Sequence, residues 1–199
     1  MRIIIIRTLF FECLKKSLDQ FIDVCEKYSI SLKAGKKPKN IFSDQIKVKL
    51  SKSQELELYF DKFNPSGEKI ETGFTPIKLF SAEQLDKAQI GYEGLPENHI
   101  VFADDNGGGK PIMAIVDEAG TPVYANYDSG SPFKISDDLS VFISAITELV
   151  EIVYGGYSIF DIADDEDVIK DSFVSEMNAR IKPILGDENF DRFFDYFYG

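Results

Sequence analysis

Histidine and cysteine are nearly missing from this chain, with one His and two Cys among 199 residues. A Cys/His zinc site needs four such ligands, so that class is excluded on inventory. His99 is the only residue that could act as a catalytic histidine, and a structural or exposed role is expected for it. Cys13 and Cys25 fall on one expected helix, where a rise of about 1.5 Å per residue sets them roughly 18 Å apart, too far for a disulfide. Free thiols point to a reducing compartment. Long apolar runs are lacking as well. Ile3-Ile4-Ile5-Ile6 is cut by Arg7, too short for the apolar region of a signal peptide and far too short for a membrane span. The segment is expected to form a brief β-strand, with an over-extended translation start as the alternative, and the protein is expected to be soluble and cytoplasmic. There is no internal repeat and no low-complexity tract. No Gly-x-Ser-x-Gly nucleophile elbow occurs either, since Gly130-Ser131-Pro132 departs from that pattern.

Positive charge is scarce beyond the first quarter. Residues 1–54 carry 12 Lys/Arg against 5 Asp/Glu, and residues 55–199 carry 10 against 29, leaving −12 overall. Phosphate contacts require Lys and Arg, so the acidic body argues against a nucleic-acid partner. The charge suits a basic partner, which it attracts before contact, and it also serves solubility. Lys36-Lys37-Pro38-Lys39 reads as a solvated loop. A chain of this length buries roughly 70% of its unfolded surface, and 17 Phe and 9 Tyr supply large core side chains.

Periodicity supplies the elements. Phe11, Leu14, Leu18, Phe21, Ile22 and Cys25 recur at three- and four-residue steps, predicting a helix over 9–28 capped by Thr8. Residues 33–40 read as a loop, and the alternation of Ile46, Val48 and Leu50 with lysines reads as a short strand. Ser51 is expected to open a helix whose inner face is Leu56, Tyr59, Phe60 and Phe63, ended by Asn64-Pro65-Ser66-Gly67. A strand over Ile77–Phe80 leads into a short helix at Ser81, where Ser81 and Gln84 have capping-box spacing. Ile100–Ala103, Ile112–Val116 and Val123–Tyr127 form a meander around turns at 104–110 and 118–121. Ser136 is expected to cap a helix with Leu139, Phe142, Ile143, Ile146 and Val150 facing inward, broken by Gly155-Gly156. A helix over Asp165–Ile181 and a final segment with Phe190, Phe193, Phe194 and Phe197 complete the chain. The predicted fold class is α+β: one domain with a central antiparallel or mixed sheet flanked by helices. Residues 1–50 are expected to form an N-terminal helix and basic loop, either part of the same domain or an extension of it, 51–150 the core, and 151–199 a C-terminal helical extension.

Two stretches invite chemistry. The run Asp104-Asp105-Asn106-Gly107-Gly108-Gly109-Lys110 has glycines that let backbone N–H groups approach a phosphate. A phosphate loop, however, needs Gly-Lys-Ser/Thr opening a helix, and Lys110 is followed by Pro111 and a strand. A turn is favoured, with Asn106-Gly107 supplying the positive φ angles of a hairpin. Counted as a calcium loop from Asp164, the run Asp164-Asp165-Glu166-Asp167 places Ile169 where glycine is required and Ser175 where glutamate is. A capped helix start is the better account. Asp104, Asp105 and Asp128 could converge if the hairpin closes over the third strand, either to hold a metal or to meet a basic partner.

The order of these elements resembles the SUKH superfamily. The resemblance runs over residues 52–148, through Leu58-Tyr59-Phe60-Asp61-Lys62-Phe63-Asn64, then Ile77–Leu85, then Leu95-Pro96 and Ile100–Gly109. It continues through Thr121-Pro122-Val123-Tyr124, Asp128 and the helix containing Phe142. Two positions depart from the family pattern: Asn64-Pro65-Ser66-Gly67 replaces an Asn-Gly-Gly-like turn, and Lys110 stands where the family often has an acid. The resemblance implies a non-enzymatic protein without cofactor or metal. Bacterial members are mostly immunity proteins that bind a cognate polymorphic toxin, often a nuclease, and a fungal branch regulates through protein contacts. A toxin protein is thus the expected partner, with no nucleic acid and no membrane, and the candidate partner-binding surface is Asp104, Asp105, Tyr124, Tyr127 and Asp128. A regulatory or scaffold protein of the same fold and an Asp-based metal-binding protein are the alternatives.

Overall fold

The computed structural model describes residues 2–32, 42–65, 69–92, 94–127 and 130–199. The loop expected at 33–40 with Lys36–Lys39, Ser66-Gly67 and Asp128 therefore lie outside the described residues. In chain order the elements are α1 (Arg2–Lys27), α2 (Asp44–Leu50), α3 (Gln54–Lys62), β1 (Lys69–Ile70), β2 (Ile77–Leu79), α4 (Ala82–Ile90), β3 (His99–Asp104), β4 (Ile112–Ile115), β5 (Val123–Ala125), β6 (Phe133–Ser136), α5 (Leu139–Gly156), α6 (Asp171–Arg180), α7 (Lys182–Leu185) and α8 (Asp187–Tyr198). The strands form one antiparallel sheet in the order β1-β2-β3-β4-β5-β6, so each strand pairs with its neighbour in sequence. The class is α+β.

The sheet has two unequal faces, because successive side chains on a strand point to opposite sides. Ile100, Phe102, Ile112, Ala114, Val123, Ala125 and Ile135 face the main core with α1, α3 and α5. Val101 and Met113 point the other way, where Phe80, Tyr92, Leu95 and Tyr124 cover them. A bulge between Val101 and Ala103 leaves Phe102 as the extra residue, which puts Phe102 and Ala103 both on the main core side. There Phe102 packs edge-on between Tyr59 and Phe142, at centroid distances of 5.8 Å to each. Fully burying a large side chain of this kind stabilises the fold by roughly 1.5–3 kcal/mol.

Helix α5 lies at the centre of the helical layer. Among the described residues it is the one helix long and apolar enough to cross a membrane, and 61% of it is buried inside the fold. Helix α1 runs alongside it in the same direction: Phe10 lies beside Asp138, Ser17 Oγ is 2.9 Å from Ser144 Oγ, and Lys27 pairs with Glu151. The same apolar core extends from Leu14 to Phe197, so both ends of the chain contribute to it.

Several sequence expectations are corrected here. The isoleucine run is the first turns of α1, not a strand, and Thr8 lies inside that helix instead of capping it. Extending an existing helix needs no new nucleus, which outweighs the strand preference of isoleucine. Residues 46–50 belong to α2. Ser43 Oγ accepts from the Ile46 N–H at 3.3 Å, and Ile46 and Leu50, four apart, are buried while Val48 points outward. The cap of α3 is Ser53, not Ser51, accepting from the Leu56 N–H at 2.9 Å. Asp138, not Ser136, caps α5, accepting from the Val141 N–H at 2.8 Å, and Ser136 ends the additional strand β6. The acidic run at 164–167 does not begin a helix. Asp164 Oδ1 accepts from the N–H groups of Glu166 and Val168 at 2.9 and 3.0 Å, which closes a turn, and α6 starts only at Asp171. His99 is the first residue of β3. The face of α3, the strand at 77–79, the meander and the inner face of α5 stand where periodicity put them, and Gln84 Oε1 accepts from the Ser81 N–H at 3.0 Å. Cys13 is exposed, Cys25 is buried, and both are free thiols.

Candidate functional site at the hairpin tip

The connection between β3 and β4 is organised by its own carboxylates. Asp105 Oδ1 accepts three backbone N–H bonds, from Gly107 at 3.0 Å, Gly108 at 2.8 Å and Gly109 at 3.2 Å. These are the donors that made the segment look like a phosphate cradle, and the aspartate occupies the place of the anion. Asp104 Oδ1 accepts from the Asn106 N–H at 2.8 Å. The left-handed positions are Asn106 (φ +62) and Gly108 (φ +80), so the expectation for Asn106-Gly107 holds at its first residue and shifts by one at the second. Burial pushes the Asp104 carboxyl above its ordinary range, partly opposed by the Asn106 N–H bond.

Lys110 points back from the tip to α8. Its ammonium lies 3.3 Å from the Tyr196 carbonyl oxygen and 3.4 Å from Thr75 Oγ1, above the rings of Tyr127 at 5.5 Å and Tyr196 at 5.7 Å. In return the Tyr196 hydroxyl donates to the Lys110 carbonyl at 2.6 Å. Tyr127 donates to Asp195 on the same helix and stacks near Tyr196, with centroids 6.4 Å apart. Burial, reinforced by Asp195, pushes the Tyr127 phenol up to about 12, and burial likewise raises that of Tyr196. Both rings stay protonated and act as packing and hydrogen-bonding groups.

The sequence-predicted surface therefore separates. Asp104, Asp105 and Tyr127 gather around the tip, while Tyr124 belongs to the opposite sheet face, 6.1 Å from the His99 ring. Asp128 is outside the described residues, and among those described no three carboxylate, His or Cys side chains come together as a metal site. His99 Nδ1 contacts Asn98 Oδ1 at 2.8 Å, and burial and then Lys49 hold its pKa below the ordinary value. Beside the tip lies an open cavity of about 350 Å³ lined by Tyr92, Leu95, Pro96, Gly109, Pro111 and Tyr127 among others. Sequence reasoning missed the partners from α8. The spacing of Phe190, Phe193 and Phe197 marks an apolar helix face, but nothing local to Tyr196 indicates that it meets a turn 86 residues away.

Comparison of the chain with family models, with curated proteins and with solved structures gives no match.

Proposed function

We propose that this chain is an immunity protein of the SUKH type, which binds a toxin domain of the polymorphic class and blocks it without chemistry of its own. The observation that carries the reading is the acid excess of residues 55–199, 29 Asp/Glu against 10 Lys/Arg, a stretch that takes in nearly all of the SUKH-like order of elements at 52–148 and continues beyond it. At the hairpin tip, one of the two stretches whose sequence invited chemistry, Asp104 and Asp105 accept hydrogen bonds from their own backbone. That geometry supports a scaffold role for the motif and leaves partner contact to other surfaces. Against a cationic nuclease, surface carboxylates take the place of substrate phosphate and speed the encounter. The test is co-purification and calorimetry with the toxin domain encoded beside this gene, inactivated at its catalytic residue. A stable complex and protection of cells expressing the active toxin are expected. No complex at micromolar concentration removes the immunity reading in favour of a regulatory or scaffold protein.

A further inference from the structure

Half of the large apolar side chains that stand exposed among the described residues sit on two adjoining loops: Phe160 at 67% exposure, Val168 at 58% and Phe74 at 45%. The turn around Gly73 rests on residues 159–162, where a Cβ at Gly73 would collide with Ile162 and come 3.0 Å from the Ile159 carbonyl oxygen. Phe160 follows two residues in the left-handed region, Ser158 (φ +47) and Ile159 (φ +75). The Ile159 N–H donates to the Val153 carbonyl at 2.9 Å and its side chain packs on the core, so the next side chain, Phe160, is turned outward. Val168 arrives on the facing arm: the Asp164 N–H donates to its carbonyl at 2.9 Å, and the Lys170 N–H donates to Ile162 at the same distance. Around this patch Asp161, Asp164, Asp165, Glu166, Asp167 and Asp171 are all exposed. The one basic residue between 158 and 173 is Lys170, which is engaged with Asp161.

We propose that the face formed by Phe74, Phe160 and Val168 within this acidic rim docks a protein whose surface is cationic and carries an apolar recess, with Phe160 as the anchor. The proposal rests on the reading of the chain as a protein-binding molecule. Charge selects the occupant. An apolar patch alone could receive a second copy of the chain, but a second copy brings the same uncompensated carboxylates against this rim, and like charges across an interface disfavour it. A basic surface gains both terms at once: desolvation of an aromatic anchor and neutralisation of its surroundings.

The experiment measures affinity of the full chain for the inactivated toxin domain of the neighbouring gene. In parallel, amide chemical shifts are followed during titration with a synthetic peptide rich in Lys and Leu. Phe160→Ala is expected to weaken toxin binding by about tenfold or more with an unchanged melting temperature. Asp164→Asn with Asp165→Asn should weaken it further at low salt than at high salt. Peptide-induced shifts should concentrate at 71–75 and 158–171 and collapse in Phe160→Ala. Toxin binding that is unaffected by Phe160→Ala overturns this face while leaving the immunity reading intact. Absence of toxin binding by the wild type overturns the immunity reading, and the peptide then decides the face. Shifts elsewhere, spread over the whole acidic surface, or absent at saturating peptide overturn it.

Discussion

The two acidic loops of this protein use the same local device to opposite ends. At the hairpin tip, Asp105 gathers the N–H groups of three glycines, and at 164–168 Asp164 gathers those of Glu166 and Val168. The first loop is then locked from behind by Lys110, Tyr127 and Tyr196, with its apolar neighbours covered. The second keeps its backbone in order but leaves Phe160 and Val168 in solvent. A carboxylate that caps its own turn is thus no sign of function. What distinguishes the loops is whether the side chains around the turn already have partners within the fold.

That contrast can be broken from either side. The largest effect is expected at the lock: Tyr196→Ala removes a fully buried ring and the hydrogen bond to Lys110, and should cost about 3–5 kcal/mol in urea unfolding. An unchanged midpoint would mean that α8 does not hold the tip. Gly73→Ala comes next, because the position combines φ +96 with a collision against Ile162. A loss of about 1–3 kcal/mol is expected, and a neutral result would show that the two outer loops are not seated together. Asp105→Ala leaves three N–H groups to water at an accessible turn, for about 1 kcal/mol, and amide exchange at Gly107–Gly109 should quicken. Phe160→Ala is expected to change stability by less than about 0.5 kcal/mol, which separates its binding role from any structural one.

The smallest change concerns pH. The Asp104 carboxyl is raised in the folded state, so folding favours its protonated form. Its contribution is fully present at acid pH and is lost as pH rises from the ordinary carboxylate range through the raised value. Asp104→Asn keeps an oxygen acceptor for Asn106 and should be as stable as the parent, or slightly more so, at neutral pH. Comparing melting temperatures of the two proteins across acid to neutral pH checks the sign.

The legible parts of the fold were those whose signal is local and repeated. Leu56, Tyr59, Phe60 and Phe63 recur at helical spacing, Ser81 and Gln84 carry a capping signature, and strands separated by glycine turns predict their own pairing. The failures have physical causes. Over five residues, Ile46-Lys47-Val48-Lys49-Leu50 satisfies a period of two and a period near four, and the Ser43 cap and the burial of Ile46 and Leu50 decided between them. The strand β6 is four residues with one of its two apolar side chains half exposed, which is too weak a pattern to stand out. The acids at 164–167 read as a capped helix start, but bonding of the Asp164 side chain to its own backbone closes a turn there instead. At the hairpin tip, the run Asp104–Lys110 marked the turn from its local sequence. The lock from α8 had no such mark, because it joins residues far apart in sequence.

A sheet whose spatial order repeats its sequence order also says how the chain assembles. Every strand meets a partner made a few residues or one short helix earlier, so registers can zip in succession with small loop-closure penalties. The contact between α1 and α5 is different: Ser17 and Ser144 are separated by 127 positions. Docking of α5 on that first helix closes one of the longest loops in the fold, as does docking of Tyr198 on Thr72 across 126 positions, and mutations at these two contacts should slow refolding more than mutations between neighbouring strands.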